Sequence, residues 1–192
     1  MIKMTTEWYS QLEAIKLHLI SQDPQLKLLF KIVDDTGFQL HTIIKEPYTA
    51  LLGAIIGQKI SYKTAKSLRG QLYQRYGTNI TPDVIKDADL SFLGVVPATI
   101  IANVTDYIIL NNIDMNTEEG IRSLINVTGI GSWTIDTTLL TSLMHWDIFP
   151  LNDKFLQARM VRLYGKNCDI KAISDKWSPY RSVITWNFWR WF

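Results

Sequence analysis

The sequence predicts an all-α protein, a single compact domain built as two helical lobes with the chain crossing between them. Three observations carry this. Apolar residues recur at three- and four-residue spacing along nearly the whole chain. Helix-start signals such as Thr81-Pro82-Asp83 and Thr117-Glu118-Glu119 punctuate it. The 192 residues suffice for one helical core or two small ones that share an interface. One lobe is expected over about 47–145, and the other from the N-terminal segment together with about 146–192.

The elements follow in order. Residues 5–20 place Trp8, Leu12, Ile15 and Leu19 on one helical face. Pro24 suits the first turn of a short helix running to about Val33. Thr36–Ile44 is short and rich in β-branched residues, which reads as a loop or a strand-like excursion. Pro47 opens a strongly apolar helix to about Gly57, and a second runs from Ser61 to Tyr76, stopped at Gly77. A short helix follows Thr81, and Pro97 begins one that reaches about Asn111. Thr117 caps the next. Ile125–Ser132 is then a break between two helices, the second running from Trp133 to about Met144. Helices over Asp153–Tyr164 and Pro179–Trp191 complete the chain.

Composition excludes several classes. No apolar stretch approaches the roughly 18–20 uncharged residues of a membrane span. The N-terminus lacks the pattern of a secretory signal, so an intracellular protein is expected. Cys168 is the single cysteine, and His18, His41 and His145 lack metal-ligand spacing, which argues against a zinc enzyme. The net charge of +2 is small, but its distribution is uneven. Residues 151–192 carry +5 and the remainder −3. Within that remainder, Lys59, Lys63, Lys66, Arg69 and Arg75 form a basic run with no carboxylate among them. Two basic patches suit two stretches of phosphate backbone, and they equally suit solvated helix faces.

The segment Val127-Thr128-Gly129-Ile130-Gly131-Ser132-Trp133-Thr134 is the most informative. Two glycines at i and i+2 between amphipathic helices permit a tight hairpin. Backbone N–H groups at the start of the second helix can then meet a phosphate oxygen. About twenty residues later, Asp153 in Phe149-Pro150-Leu151-Asn152-Asp153 falls at the start of a helix. There it reads as a helix cap or, paired with a phosphate-gripping hairpin, as a catalytic carboxylate.

With these blocks in view, the chain resembles the helix-hairpin-helix superfamily of DNA glycosylases, and most closely the 3-methyladenine DNA glycosylase II branch in its short all-helical form. Besides the hairpin and the aspartate block, Leu51-Leu52-Gly53-Ala54-Ile55-Ile56-Gly57-Gln58-Lys59-Ile60-Ser61 and Trp177-Ser178-Pro179-Tyr180-Arg181-Ser182 with Trp186 and Trp189 carry the likeness. It spans about Tyr48 to Trp189.

The resemblance implies an active site in the cleft between the lobes and a monomer acting on double-stranded DNA with damaged bases. It implies base-excision repair, in which alkylated purines such as 3-methyladenine are flipped out and released. Asp153 takes the family's catalytic position. Trp133 and Trp189 fall at positions that line the base pocket, while Trp177 and Trp186 are expected in the core. Gly129, Gly131 and Thr134 would bind phosphate through their amides. Gln58, Lys59 and Ile60 match the turn that fills the gap left by the flipped base, although Lys59 stands where a leucine or glutamine is more usual.

Relatives that form a Schiff base carry a lysine two residues after the second hairpin glycine. Here that residue is Trp133, which implies glycosylase action without lyase activity. No cofactor is required. The carbonyls of Ile125, Val127 and Ile130 match those that hold a monovalent cation, Na+ or K+, in relatives. The alternatives are a glycosylase for another damaged base and a non-catalytic DNA-binding protein on the same fold.

Overall fold

A computed structural model of the chain describes residues 2–35 and 46–191, with side chains described for 11–34 and 46–191. All regular elements among the described residues are helical. The expected excursion at Thr36–Ile44 and the packing of Trp8 lie outside the described residues and side chains. The chain forms two compact units, Met1–Leu40 with Trp146–Phe192, and His41–His145.

The first unit holds α1 (Ile2–Gln22), α2 (Leu26–Asp35), α9 (Lys154–Tyr164), α10 (Ile170–Asp175) and α11 (Arg181–Arg190). Leu12, Ile15 and Leu19 of α1 are buried, as their helical spacing predicts. They share the core with Leu26, Leu29, Phe30, Leu156, Met160, Trp177 and Phe188. Trp177 is fully buried and solves its polar problem by donating its indole N–H to Asp23 Oδ2 at 3.1 Å. The Tyr164 hydroxyl donates to the same oxygen at 2.7 Å. Asp23, in the turn between α1 and α2, thereby ties that turn to the C-terminal part of the unit. Trp186 is buried too, so both tryptophans assigned to the core are there.

The second unit holds α3 (Pro47–Gly57), α4 (Tyr62–Tyr76), α5 (Pro82–Ile85), α6 (Val95–Leu110), α7 (Glu118–Ser123) and α8 (Ser132–Thr138). The run Pro47-Tyr48-Thr49-Ala50-Leu51-Leu52-Gly53-Ala54-Ile55-Ile56 is buried at every position. A helix apolar on all faces must be surrounded. Accordingly, α4, α6 and α8 all pack on α3. Its two polar side chains are satisfied internally: Tyr48 and Thr105 share a hydroxyl–hydroxyl hydrogen bond, and Thr49 Oγ1 donates to the Ile80 carbonyl while accepting the Ile80 N–H.

Several boundaries differ from those the pattern predicts. α6 starts at Val95, two residues ahead of Pro97, because a proline in the first turn forfeits no helical hydrogen bond. The helix expected from Trp133 to Met144 is α8 followed by a π-helical turn, Leu139–Leu143, ended by Met144 at φ 51°. α10 is an additional short helix, opened by Asp169 accepting from the Ala172 N–H.

Candidate active site and nucleic-acid interface

Asp153 is the N-cap of α9. Its backbone is extended, and Oδ1 accepts the N–H groups of Phe155 at 2.8 Å and Leu156 at 3.0 Å. These are donors that the first turn of any helix leaves without intrahelical partners. Oδ2 faces a different partner, accepting the indole N–H of Trp189 at 3.1 Å. Trp189 lies in the last turns of α11 and stands edge-on to Trp186, ring centres 5.4 Å apart at 83°. Asp153 is buried and Trp189 half-buried. The structure therefore brings together two sequence-predicted residues 36 positions apart and fixes the carboxylate from both sides.

The start of α11 is held by a residue to which the sequence reading gave no role. Arg181 Nε and Nη2 donate to Asp147 Oδ1 and Oδ2 at 2.6 and 2.9 Å. The Arg181 backbone N–H donates to Asp147 Oδ1 at 3.3 Å, and the Ser178 hydroxyl donates to Oδ2 at 2.8 Å. Tyr180, at the N-cap position, gives no side-chain cap, so Asp147 supplies one from 34 residues away. Burial pushes the Asp147 carboxyl up, but hydrogen bonds from Arg181 and Ser178 and the guanidinium charge outweigh it and hold the group below its ordinary range. Ser182 Oγ accepts the Ile148 N–H at 2.9 Å, a second tie between α11 and the same segment.

In the second unit the hairpin runs from α7 through a 3₁₀ turn, Leu124–Asn126, to α8. Gly129 has φ 92°, and a Cβ there would lie 2.6 Å from Ile100 Cγ1, so two independent constraints require glycine. Gly131, the N-cap of α8, has an ordinary φ of −110° and open space where a Cβ would go. Neither conformation nor space demands glycine at Gly131.

Gln58 bridges the hairpin to the turn after α3. Its amide nitrogen donates to the Gly129 carbonyl and to Thr134 Oγ1, both at 3.0 Å. These two bonds tie the turn after α3 to the hairpin. Lys59 and Ile60 are exposed, and Lys59 adopts the left-handed conformation at φ 57°. Thr134 is buried, and its N–H donates to the Gly131 carbonyl at 3.0 Å. Gly129 and Gly131 are both exposed.

Trp133 is half-buried, with its Cη2 3.7 Å from where a Gly57 Cβ would stand, so its indole lies over the end of α3. Of the carbonyl-bearing residues, Ile125 is half-exposed, whereas Val127 and Ile130 are buried. The Val127 carbonyl accepts the Ile130 N–H at 3.0 Å and keeps a second lone pair. Among the described residues no group of His, Cys, Asp or Glu side chains could hold a metal ion, and no helix is long and apolar enough to cross a membrane.

No family model matches the chain. DNA-3-methyladenine glycosylase 1 of Schizosaccharomyces pombe is 25% identical, over 98% of this chain and 91% of its own length. The solved structure of a 3-methyladenine DNA glycosylase from that yeast in complex with abasic DNA matches with a TM-score of 0.77 at 23% identity, covering 92% of this chain and 95% of that one. A DNA-3-methyladenine glycosidase from Bacillus halodurans matches with a TM-score of 0.66 at 26% identity, over 90% and 85% of the two chains. Relatives in sequence and neighbours in structure point the same way, and the chain belongs to the helix-hairpin-helix DNA glycosylase superfamily.

Proposed function

We propose that the protein is a monofunctional DNA glycosylase that hydrolyses the N-glycosidic bond of alkylated purines flipped out of duplex DNA. The observation that carries this reading is the fixed carboxylate of Asp153, held by two helix amides and the Trp189 indole. A preorganised anion stabilises positive charge that develops on a deoxyribose as the base departs. The C1′–N bond breaks with its electron pair leaving on the base. Water adds at C1′ and releases its proton. An N-alkylated purine already carries positive charge, so its departure needs no strong acid.

Trp189 offers part of its indole to a flipped base while its N–H holds the carboxylate, and Trp133 offers a second aromatic surface. Aromatic faces favour an electron-poor, cationic base. Gly129 and Gly131 take a DNA phosphate through their amides. Lys59 and Ile60, the exposed part of the neighbouring turn, fill the space vacated by the flipped base. A Na+ or K+ ion at the carbonyls of Ile125, Val127 and Ile130 would brace the hairpin, and no chemical step passes through it. Trp133 occupies the position at which a Schiff-base lysine would stand, which supports hydrolysis without strand cleavage. The protein acts as a monomer.

The test is release of methylpurines from methylated duplex DNA by wild type and Asp153→Asn, with strand breaks read before and after alkali. Release by wild type alone, with breaks only after alkali, is the expected result. Breaks without alkali would refute the monofunctional reading. No release by wild type that still binds DNA would refute the alkylpurine substrate, and a panel of other lesions would then be tried.

A further inference from the structure

We propose that Arg159 and Arg162 on α9, mounted on Phe155 and Trp191, form a phosphodiester-binding site that holds the DNA strand beside Asp153. This rests on the reading of the protein as a DNA glycosylase and adds a contact outside the hairpin. Phe155, Arg159 and Arg162 follow one another at i, i+4 and i+7, one face of a helix. Leu156 and Met160, on the adjoining face, are fully buried.

The Arg159 guanidinium lies 4.0 Å from the centre of the Phe155 ring and 5.8 Å from that of Trp191. The Arg162 guanidinium lies 5.0 Å from the same Trp191 ring. Arg159 Nε donates to the Trp191 carbonyl at 2.7 Å, which fixes the fork; among the described residues its terminal nitrogens have no other acceptor.

Two guanidiniums on one indole repel each other. Among the described residues neither forms an ion pair, and α9 contains no carboxylate. Burial, and then the Arg162 charge, hold the Arg159 guanidinium below its ordinary value. Such a pair is relieved by an anion bridging both. The aromatic support keeps the planes fixed in its absence, which lowers the ordering cost of binding. Half-exposed Phe155 continues this face into the turn that Asp153 caps. Arg159 lies six residues along the helix from Asp153, about 9 Å of axial rise, and phosphates of one strand recur about every 3.4 Å along a duplex. A strand whose sugar meets Asp153 therefore has phosphates within reach of the pair.

The experiment measures affinity for a duplex containing a tetrahydrofuran abasic analogue across a series of salt concentrations, so no turnover is involved. Each phosphate contact contributes about 0.9 to the slope of log K against log salt. Arg162→Gln should lower the slope by about 0.9 and Arg159→Gln/Arg162→Gln by about 1.8, whereas Arg162→Lys should retain it. Lys176→Gln, removing an exposed charge elsewhere on the unit, should leave it unchanged. Arg162 is exposed, so its variants should melt like the wild type. An unchanged slope in Arg162→Gln, or an equal loss in Lys176→Gln, would overturn the site. A wild type that does not bind the duplex at all would overturn the DNA-binding reading beneath it.

Discussion

The indole N–H of Trp189 donates to Oδ2 of Asp153 across 3.1 Å, on the side of the carboxylate that the α9 amides do not reach. Under the proposed function Trp189 therefore has two separable duties, a hydrogen bond to the carboxylate and an aromatic surface for the base. Trp189→Phe keeps a ring and deletes the donor. Hydrogen bonds to charged groups contribute roughly 1.5–3 kcal/mol, so the rate of base release at saturating enzyme should fall about ten- to a hundredfold. Affinity for abasic-analogue DNA should change little. Single-turnover kinetics beside a binding titration would separate the two, and loss of affinity alone would assign Trp189 to stacking only.

Asp153 also has a structural duty, and its substitutions should divide accordingly. Asparagine is as good an N-cap as aspartate, so Asp153→Asn should melt near the wild type while losing catalysis by on the order of 100-fold or more. Asp153→Ala removes the cap as well and should cost about 1 kcal/mol of stability. For a protein of this size that is a fall of about 2–4 °C in melting temperature. Calorimetry of the two variants beside base-release assays checks this. Equal destabilisation by both would mean that the charge, rather than the cap, stabilises α9.

The two hairpin glycines should fail in different ways. Gly129→Ala meets both a positive φ and the Ile100 side chain at 2.6 Å, so it should destabilise the protein by roughly 1–3 kcal/mol. Gly131→Ala has room and an ordinary backbone, and should melt like the wild type. Its methyl group would nevertheless cover the amide edge at the start of α8, so affinity for DNA should drop several-fold or more. Thermal melts and binding titrations of the pair would decide. If Gly131→Ala binds normally, the phosphate does not approach the hairpin there.

What the sequence made legible is local. The all-apolar run of α3 announced a surrounded helix, the i, i+2 glycines announced the hairpin, and Asp153 stood at a helix start, because each signal resides in a few consecutive residues. What stayed hidden is non-local. Gln58 and Gly129 are 71 residues apart, and no local pattern announces the hydrogen bond between them. Likewise, no pattern near Asp147 indicates that it caps a helix 34 residues later. The π turn at Leu139–Leu143 carries a helical hydrophobic pattern and differs only in how its carbonyls are paired.

Asp147 supplies the last prediction, because it anchors the helix that carries Trp189. Its folded-state carboxyl lies below the ordinary range, so it contributes stability above its unfolded-state value, and that contribution is lost as pH falls through the depressed folded value. Asp147→Asn should therefore be destabilised at neutral pH by about 1–3 kcal/mol, since Arg181 is left with a weaker partner. The gap from wild type should close as the solution is acidified past the usual carboxylate range. Denaturant unfolding of both proteins at a series of pH values measures it. A gap that stays constant into acid would show that the hydrogen bonds of Asp147, and not its charge, hold α11. Base release should fall in Asp147→Asn even under conditions where the protein is fully folded, because the α11 start positions the indole that orients Asp153.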